Sequence, residues 1–225
     1  MIVKKYSNII FYLGGDNLKL TLLKIPLGAY QTNCYIIGNT DNKKIFLVDP
    51  GAQGKELLAE LNHRQLEPQA ILLTHGHSDH IGAVQELVDT YNIPIYMHPK
   101  EVPFLTDSEL NLSAFQGLDI QVHGTIHEVI EGDTISYEQV PIKVIETPGH
   151  TPGGISFYMD GILFAGDTLF RDSVGRTDFP YGSFDDLIVS IQTKLMNLPD
   201  DTIVYPGHGP ETTIGYEKKS NPFIG

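Results

Sequence analysis

Apolar residues along this chain come in short runs cut apart by turns, and only a few windows carry helical spacing. Ile9–Leu13 and Leu18–Ile25 predict two strands, with Gly14-Gly15-Asp16-Asn17 as the turn between them. Residues 1–20 are therefore expected to form an N-terminal hairpin, with a loose extension as the alternative. Asn33–Ile37 and Lys44–Val48 predict strands, and Lys55–His63 predicts a helix with Leu57, Leu58 and Leu61 on one face. Ala70–Leu73 is a short buried strand, Gly82–Tyr91 a helix with Val84, Leu87 and Val88 inward, and Ile95–His98 a strand. Leu105–Phe115 is expected to be helical. The second half repeats the logic, with strands at Glu128–Ile130, Val140–Ile145, Ile155–Met159 and Ile162–Ala165. Ser183–Met196 predicts a helix that presents Leu187, Ile188, Ile191 and Leu195 inward. Ser183 is its N-cap, with Asp186 at the capping-box position. Thr202–Tyr205 is read as the last strand.

This mixed order argues an α/β layered fold, in which chemistry sits on loops at strand ends. No linker or fixed-period repeat interrupts the 225 residues, so one domain over 1–225 is expected. The net charge of −13 argues against nucleic acid as a partner, because neutralising phosphates takes lysine and arginine. No stretch approaches the roughly 20 apolar residues that span a bilayer, so no membrane association is expected. The apolar run after Lys4 and Lys5 is short for a signal segment, and the lone cysteine, Cys34, fits a reducing compartment. A cytoplasmic location is the resulting expectation. Cys34 lies in an apolar strand and reads as a small buried residue.

Nine histidines are the unusual feature, because several of them bunch. Thr74-His75-Gly76-His77-Ser78-Asp79-His80 follows a buried strand and precedes a helix. Three imidazoles and a carboxylate that close can converge on divalent metal, which takes such donors at about 2.0–2.2 Å. A solvated polar loop is the plainer explanation, but three further loops weigh against it. His150 sits in Thr147-Pro148-Gly149-His150-Thr151-Pro152-Gly153-Gly154, Asp167 follows the apolar strand Ile162–Ala165, and His208 sits in Tyr205-Pro206-Gly207-His208-Gly209-Pro210. Each alone reads as a turn histidine or a cap. Together they suggest two ions. One takes His75, His77 and His150, the other takes Asp79, His80 and His208, and Asp167 bridges. A metal pair about 3.5–4 Å apart activates water and clamps a developing oxyanion. No Gly-x-Ser-x-Gly nucleophile elbow offers another route.

Asp49-Pro50-Gly51, the Thr74–His80 run, His150, Asp167 and His208 together resemble the metallo-β-lactamase fold hydrolases, from about Leu23 to the C-terminus. The stretch Gly166-Asp167-Thr168-Leu169-Phe170-Arg171, with Gly175-Arg176-Thr177-Asp178-Phe179-Pro180, is most similar to the glyoxalase II branch and its small single-domain relatives. The resemblance implies a four-layer αββα sandwich, two mixed sheets flanked by helices, with the metals at one edge. It implies the same ligand set, and Asp49 as a residue orienting the ligands. Full glyoxalase II enzymes carry a helical glutathione-binding domain after the last metal histidine. Only 17 residues follow His208, so that domain is not expected here.

The expected activity is thioester hydrolysis by a metal-bridging hydroxide, on a thioester of a low-molecular-weight thiol. Asp79 and Asp167 hold and position the hydroxide. Zinc is the expected metal, and iron or manganese suit the same donors. Arg171, Arg176, Lys218 and Lys219 are candidates for a carboxylate-bearing substrate, and Tyr216 and Phe179-Pro180-Tyr181 for lining the mouth. Solvated lysines, and a buried fold-locking Arg176, are the alternatives. His63, His98, His123 and His127 have no motif context and are expected at the surface or at strand ends. The rival functions are a mononuclear iron persulfide dioxygenase, a lactonase, a β-lactamase and a metal-binding protein without turnover. The best-known zinc β-lactamases have cysteine at the Asp167 position and no histidine at the His80 position. The nuclease relatives need a basic face and an inserted domain that this sequence lacks.

Overall fold

The computed structural model describes residues 7–13, 18–39, 42–137 and 140–224. They fall into two compact units. One takes the chain to Tyr96 and then Val102–His127, and the other takes Met97–Glu101 and the chain from Glu128 onward.

The first unit is built on a seven-stranded sheet, in chain order from edge to edge. Its strands are β1 (Ser7–Leu13), β2 (Leu18–Leu27), β3 (Thr32–Asn39), β4 (Lys44–Val48), β5 (Glu67–Leu72), β6 (Ile95–Met97) and β7 (Ile126–Glu128). β1 to β4 pair antiparallel, with Ser7 opposite Lys24 and Tyr35 opposite Val48. The turn expected at 14–17 lies outside the described residues. β4, β5 and β6 are parallel, which requires crossovers. Helix α1 (Gly54–Arg64) makes the first, burying Leu57 and Leu61. The short α2 (Ser78–Ile81) and α3 (Val84–Tyr91) make the second, with Val84, Leu87 and Val88 buried. β3 is buried at seven of its eight residues, so it reads as a continuous apolar run rather than an alternation.

The helix expected over Leu105–Phe115 does not form. The chain makes 3-10 turns at Pro99–Leu105 and Ala114–Gln116, with irregular turns between. Side chains take the backbone groups a helix would have used. Asp107 Oδ1 accepts the N–H groups of Glu109 and Leu110. The buried Asn111 amide donates to Phe104 O and Ile120 O.

The second unit carries a six-stranded sheet in the order β15-β14-β11-β10-β9-β8. Its strands are β8 (Thr134–Tyr137), β9 (Val140–Glu146), β10 (Ile155–Met159), β11 (Ile162–Gly166), β14 (Ile203–Pro206) and β15 (Thr212–Thr213). A separate hairpin pairs β12 (Leu169–Phe170) with β13 (Ser173–Val174). β11 and β14 are parallel, and the other pairs antiparallel. Helix α4 (Phe184–Thr193) starts where expected, with Ser183 Oγ accepting Asp186 N–H. It packs Leu187 and Ile191, with Leu195 beyond it, against Leu163, Ala165 and Val204. It ends at Thr193, earlier than expected, and a 3-10 turn covers Leu195–Asn197. Helix α5 (Ile214–Ser220) follows β15, capped by Thr213. Sequence patterning missed β8, β12, β13, β15 and α5. The two-residue strands are too short to show a period, whereas the alternating burial of Thr134–Tyr137 carried a usable one. The strand expected at Glu128–Ile130 is displaced to β7.

The expected fold class, α/β with two mixed sheets and helices, is the one found. Both units use one device to place chemistry. Parallel neighbours deliver their C-terminal ends side by side, β4 beside β5 in one unit and β11 beside β14 in the other.

Candidate metal centre

In the first unit the chain leaving β4 meets the chain leaving β5. Asp49 N–H donates to Leu72 O at 3.1 Å, and Asp49 adopts φ +47. That left-handed conformation is uncommon outside glycine and is best tolerated by Asp and Asn. It turns the carboxylate back onto Thr74. Asp49 Oδ1 accepts Thr74 N–H at 2.9 Å, and Oδ2 accepts Thr74 Oγ1–H at 2.7 Å.

This network fixes which histidine nitrogens keep a lone pair. The Thr74 hydroxyl points its hydrogen at Asp49, so at 3.1 Å its oxygen accepts from His75 Nδ1. His80 Nδ1 lies 3.0 Å from Asp49 Oδ2 and donates to it. Both histidines therefore keep the lone pair on Nε2, the state a metal requires. The backbone changes within the motif. His77 is extended, and α2 begins after it, so Asp79 and His80 stand in the first turn of a helix rather than in a loop. The rings of His75 and His77 lie 4.7 Å apart, and the turn into α2 brings that of His80 to 4.0 Å from His75. Asp79 Oδ2 lies 3.8 Å from His80 Nε2 and accepts Thr32 Oγ1–H at 2.9 Å. Gly51 packs so tightly that a Cβ there would overlap the Asp79 carbonyl. On the other side Ser78 N–H donates to Asn111 O at 2.7 Å, and Gln116 Nε2 to Ser78 Oγ at 2.8 Å.

The second unit brings His150, Asp167 and His208 together. Asp167 follows β11, and His208 follows β14, with Gly207 N–H donating to Gly166 O at 2.8 Å. Asp167 Oδ2 is 3.6 Å from His150 Nε2 and 3.5 Å from His208 Nε2. Two donors on one tetrahedral ion at 2.0–2.2 Å are separated by about 3.3–3.6 Å, so these separations suit shared ions. His150 Nδ1 lies 2.7 Å from Arg176 O. A carbonyl only accepts, so Nδ1 carries the proton and Nε2 the lone pair. The turn bearing His150 is held at both ends. Ser183 N–H donates to Gly149 O, and Ser190 Oγ to Pro148 O. Gly153 N–H donates to Oε1 of the fully buried Glu101 at 2.8 Å. Glu101 was missed, because nothing in its own sequence context marks it.

Of the substrate candidates, Arg176 is a surface residue and not a buried lock. Its side chain is 64% exposed, pairs with Asp178 at 2.7 Å and lies over the Phe179 ring. That ring in turn meets His150 edge-on. The Arg176 guanidinium holds the Asp178 carboxyl down at about 2. Arg171 lies over the Tyr216 ring. Lys218 is engaged by Asp200 and Leu198 O, and Lys219 is exposed, so neither is placed with the ligands by a described contact. His63, His123 and His127 are exposed. His98 follows β6 but is buried, accepting Lys100 N–H at Nδ1 and facing Glu146 through Nε2. Cys34 is buried, and that burial, with the Asp49 charge second, pushes its thiol far up. Among the described residues no helix is long and apolar enough to cross a membrane.

Comparison with known proteins places this architecture. The model of the metallo-beta-lactamase superfamily matches residues 27–208, and so spans both units. A probable metallo-hydrolase of Bacillus subtilis, YqgX, is 38% identical over 205 residues, covering 89% of this chain and 96% of that protein. The hydroxyacylglutathione hydrolase GloC of Haemophilus influenzae is 37% identical with the same coverage. Among solved structures, the B3 metallo-beta-lactamase BLEG-1 aligns with a TM-score of 0.84 at 43% identity, over 89% of this chain and 98% of its own. TTHA1623 in a di-iron-bound form aligns with a TM-score of 0.80 at 38% identity and the same coverage.

Proposed function

The chain belongs to the metallo-beta-lactamase superfamily, and from that premise we propose that it cleaves a thioester of a low-molecular-weight thiol. Its coarser class is that of a metallo-hydrolase. His75, His77 and His150 would hold one ion and Asp79, His80 and His208 the second, with Asp167 shared between them. The observation that carries the shared role of Asp167 is the place of its Oδ2, within 3.6 Å of Nε2 of both His150 and His208. The proton positions on His75, His80 and His150 support the ligand set, since each is held in the tautomer that ligation needs. Five imidazoles and two carboxylates suit zinc, iron or manganese, and zinc is our choice.

A bound metal pair supplies water ionised near neutral pH and a Lewis acid for the carbonyl. The protein's own part is positioning. Asp49 holds His80 directly and His75 through Thr74, Thr32 holds Asp79, and Arg176 O holds His150. Arg171, over the Tyr216 ring, and Arg176, over the Phe179 ring and paired with Asp178, are the cations we assign to a carboxylate-bearing substrate. A thiolate leaves without strong acid assistance, so no dedicated general acid is needed. The likeness to GloC supports a hydroxyacyl thioester.

The test is a thioester panel, beginning with lactoyl-glutathione, with metal content measured on the same protein. Two equivalents of metal and hydrolysis of at least one thioester are expected. Metal-replete protein that hydrolyses none of them removes the reading. A β-lactamase is the second reading, favoured by the 43% identity to BLEG-1, and nitrocefin turnover under the same conditions decides it. Protein that carries one iron and consumes oxygen with a persulfide would instead be a dioxygenase.

A further inference from the structure

We propose that Glu217 is a positioning residue for the ligand set of the second unit. Glu217 is fully buried in α5. Three donors meet its carboxylate. Thr212 Oγ1 donates to Oε1, while Asp172 N–H at 3.1 Å and Asn221 Nδ2 at 2.8 Å donate to Oε2. Asn221 Nδ2 also reaches Ser173 O at 3.0 Å. The carboxylate thus grips the turn of the β12–β13 hairpin at Asp172. That residue holds φ +59, a left-handed turn conformation that aspartate tolerates better than most residues. Tyr216 OH adds a bond to Asp172 Oδ1 at 2.8 Å.

The gripped hairpin and the residues flanking it adjoin every proposed ligand of the unit. Asp167 precedes it, and Gly175 closes it by donating to Thr168 O at 3.3 Å. A Cβ on Gly175 would overlap the Asp167 carbonyl. Arg176, next in the chain, is the carbonyl that sets the His150 tautomer. Phe170 in β12 meets the His208 ring edge-on, at 6.2 Å between centroids. A loosened hairpin therefore disturbs all three donors together, from a residue that contacts none of them.

The inference rests on the ligand assignment proposed above, and its test needs no substrate. Zinc affinity is measured by competition with a chromogenic chelator, alongside the melting temperature of metal-free protein. Glu217→Ala is expected to weaken zinc binding about tenfold or more, in the range known for residues that support ligands. Glu217→Gln keeps an acceptor towards Asp172 and Asn221, while Thr212 can turn its hydroxyl to accept. It should stay within about threefold of the parent. Thr212→Val removes only the bond remote from the hairpin, so it should lower the melting temperature and leave zinc affinity alone. Folded Glu217→Ala with parental affinity overturns the proposal, as does a Thr212→Val protein that loses zinc in step with stability. Should Glu217→Ala fail to fold, Asn221→Ala decides, and unchanged zinc affinity there overturns the proposal. Zinc binding with no thioester hydrolysis would defeat the functional reading and leave this one standing. A parent protein that binds no zinc, iron or manganese defeats both.

Discussion

His80 Nδ1 lies 3.0 Å from Asp49 Oδ2, and both side chains are buried. The same oxygen accepts the Thr74 hydroxyl, which accepts in turn from His75. One carboxylate therefore orders two imidazoles. Asp49→Ala should weaken metal binding by about 10–100-fold, the usual effect of removing a ligand's partner. Asp49→Asn should also lose affinity, because its amide N–H would face another donor. Isothermal titration with zinc checks both, and parental affinity in either variant contradicts the role given to Asp49.

Gly51 carries a different demand. A side chain there would drive into the Asp79 carbonyl, and a backbone atom cannot step aside as a flexible side chain can. Gly51→Ala should cost at least about 1–3 kcal/mol, the range for overpacking. Urea unfolding measures it. A variant as stable as the parent would mean that the Asp49–Gly51 turn packs less tightly than described.

Asp178 tests the surface pair beside His150. The hydrogen bond from Arg176 holds its carboxyl at about 2, below the ordinary 3.8. A depressed carboxyl contributes stability above its unfolded value, and that contribution is lost as pH falls from about 3.8 through about 2. The pair is exposed, so the effect on folding is small. The carboxyl carbon resonance of Asp178 should titrate near 2, and Arg176→Ala should return it towards 3.8. A midpoint that does not move would show that Arg176 is not the cause.

Cys34 should be silent. Burial raises its thiol, and the Asp49 charge adds to this, so little thiolate exists at neutral pH. Ellman's reagent at pH 8 should not modify the native protein and should modify one thiol per chain in guanidinium. Rapid native reaction would place Cys34 at an accessible surface.

The sequence by itself determined the candidate donors. Histidine and aspartate just past apolar strands are visible as residue types and spacings. It also determined the long strands and the three longer helices, whose periods run over enough residues to read. What only the tertiary structure decided is how the donors are held. The start of α2 between His77 and Ser78 places Asp79 and His80 on a helical turn, and no local pattern marks that change. Asp49 reaches His80 across 31 residues, and Glu217 reaches Asp172 across 45. Glu101, met by Gly153, reads locally as one more surface acid. Bonds of that separation are set by strand order, since parallel neighbours bring distant segments to one edge. Residue identity fixes what a side chain can donate or accept, and the fold fixes to whom.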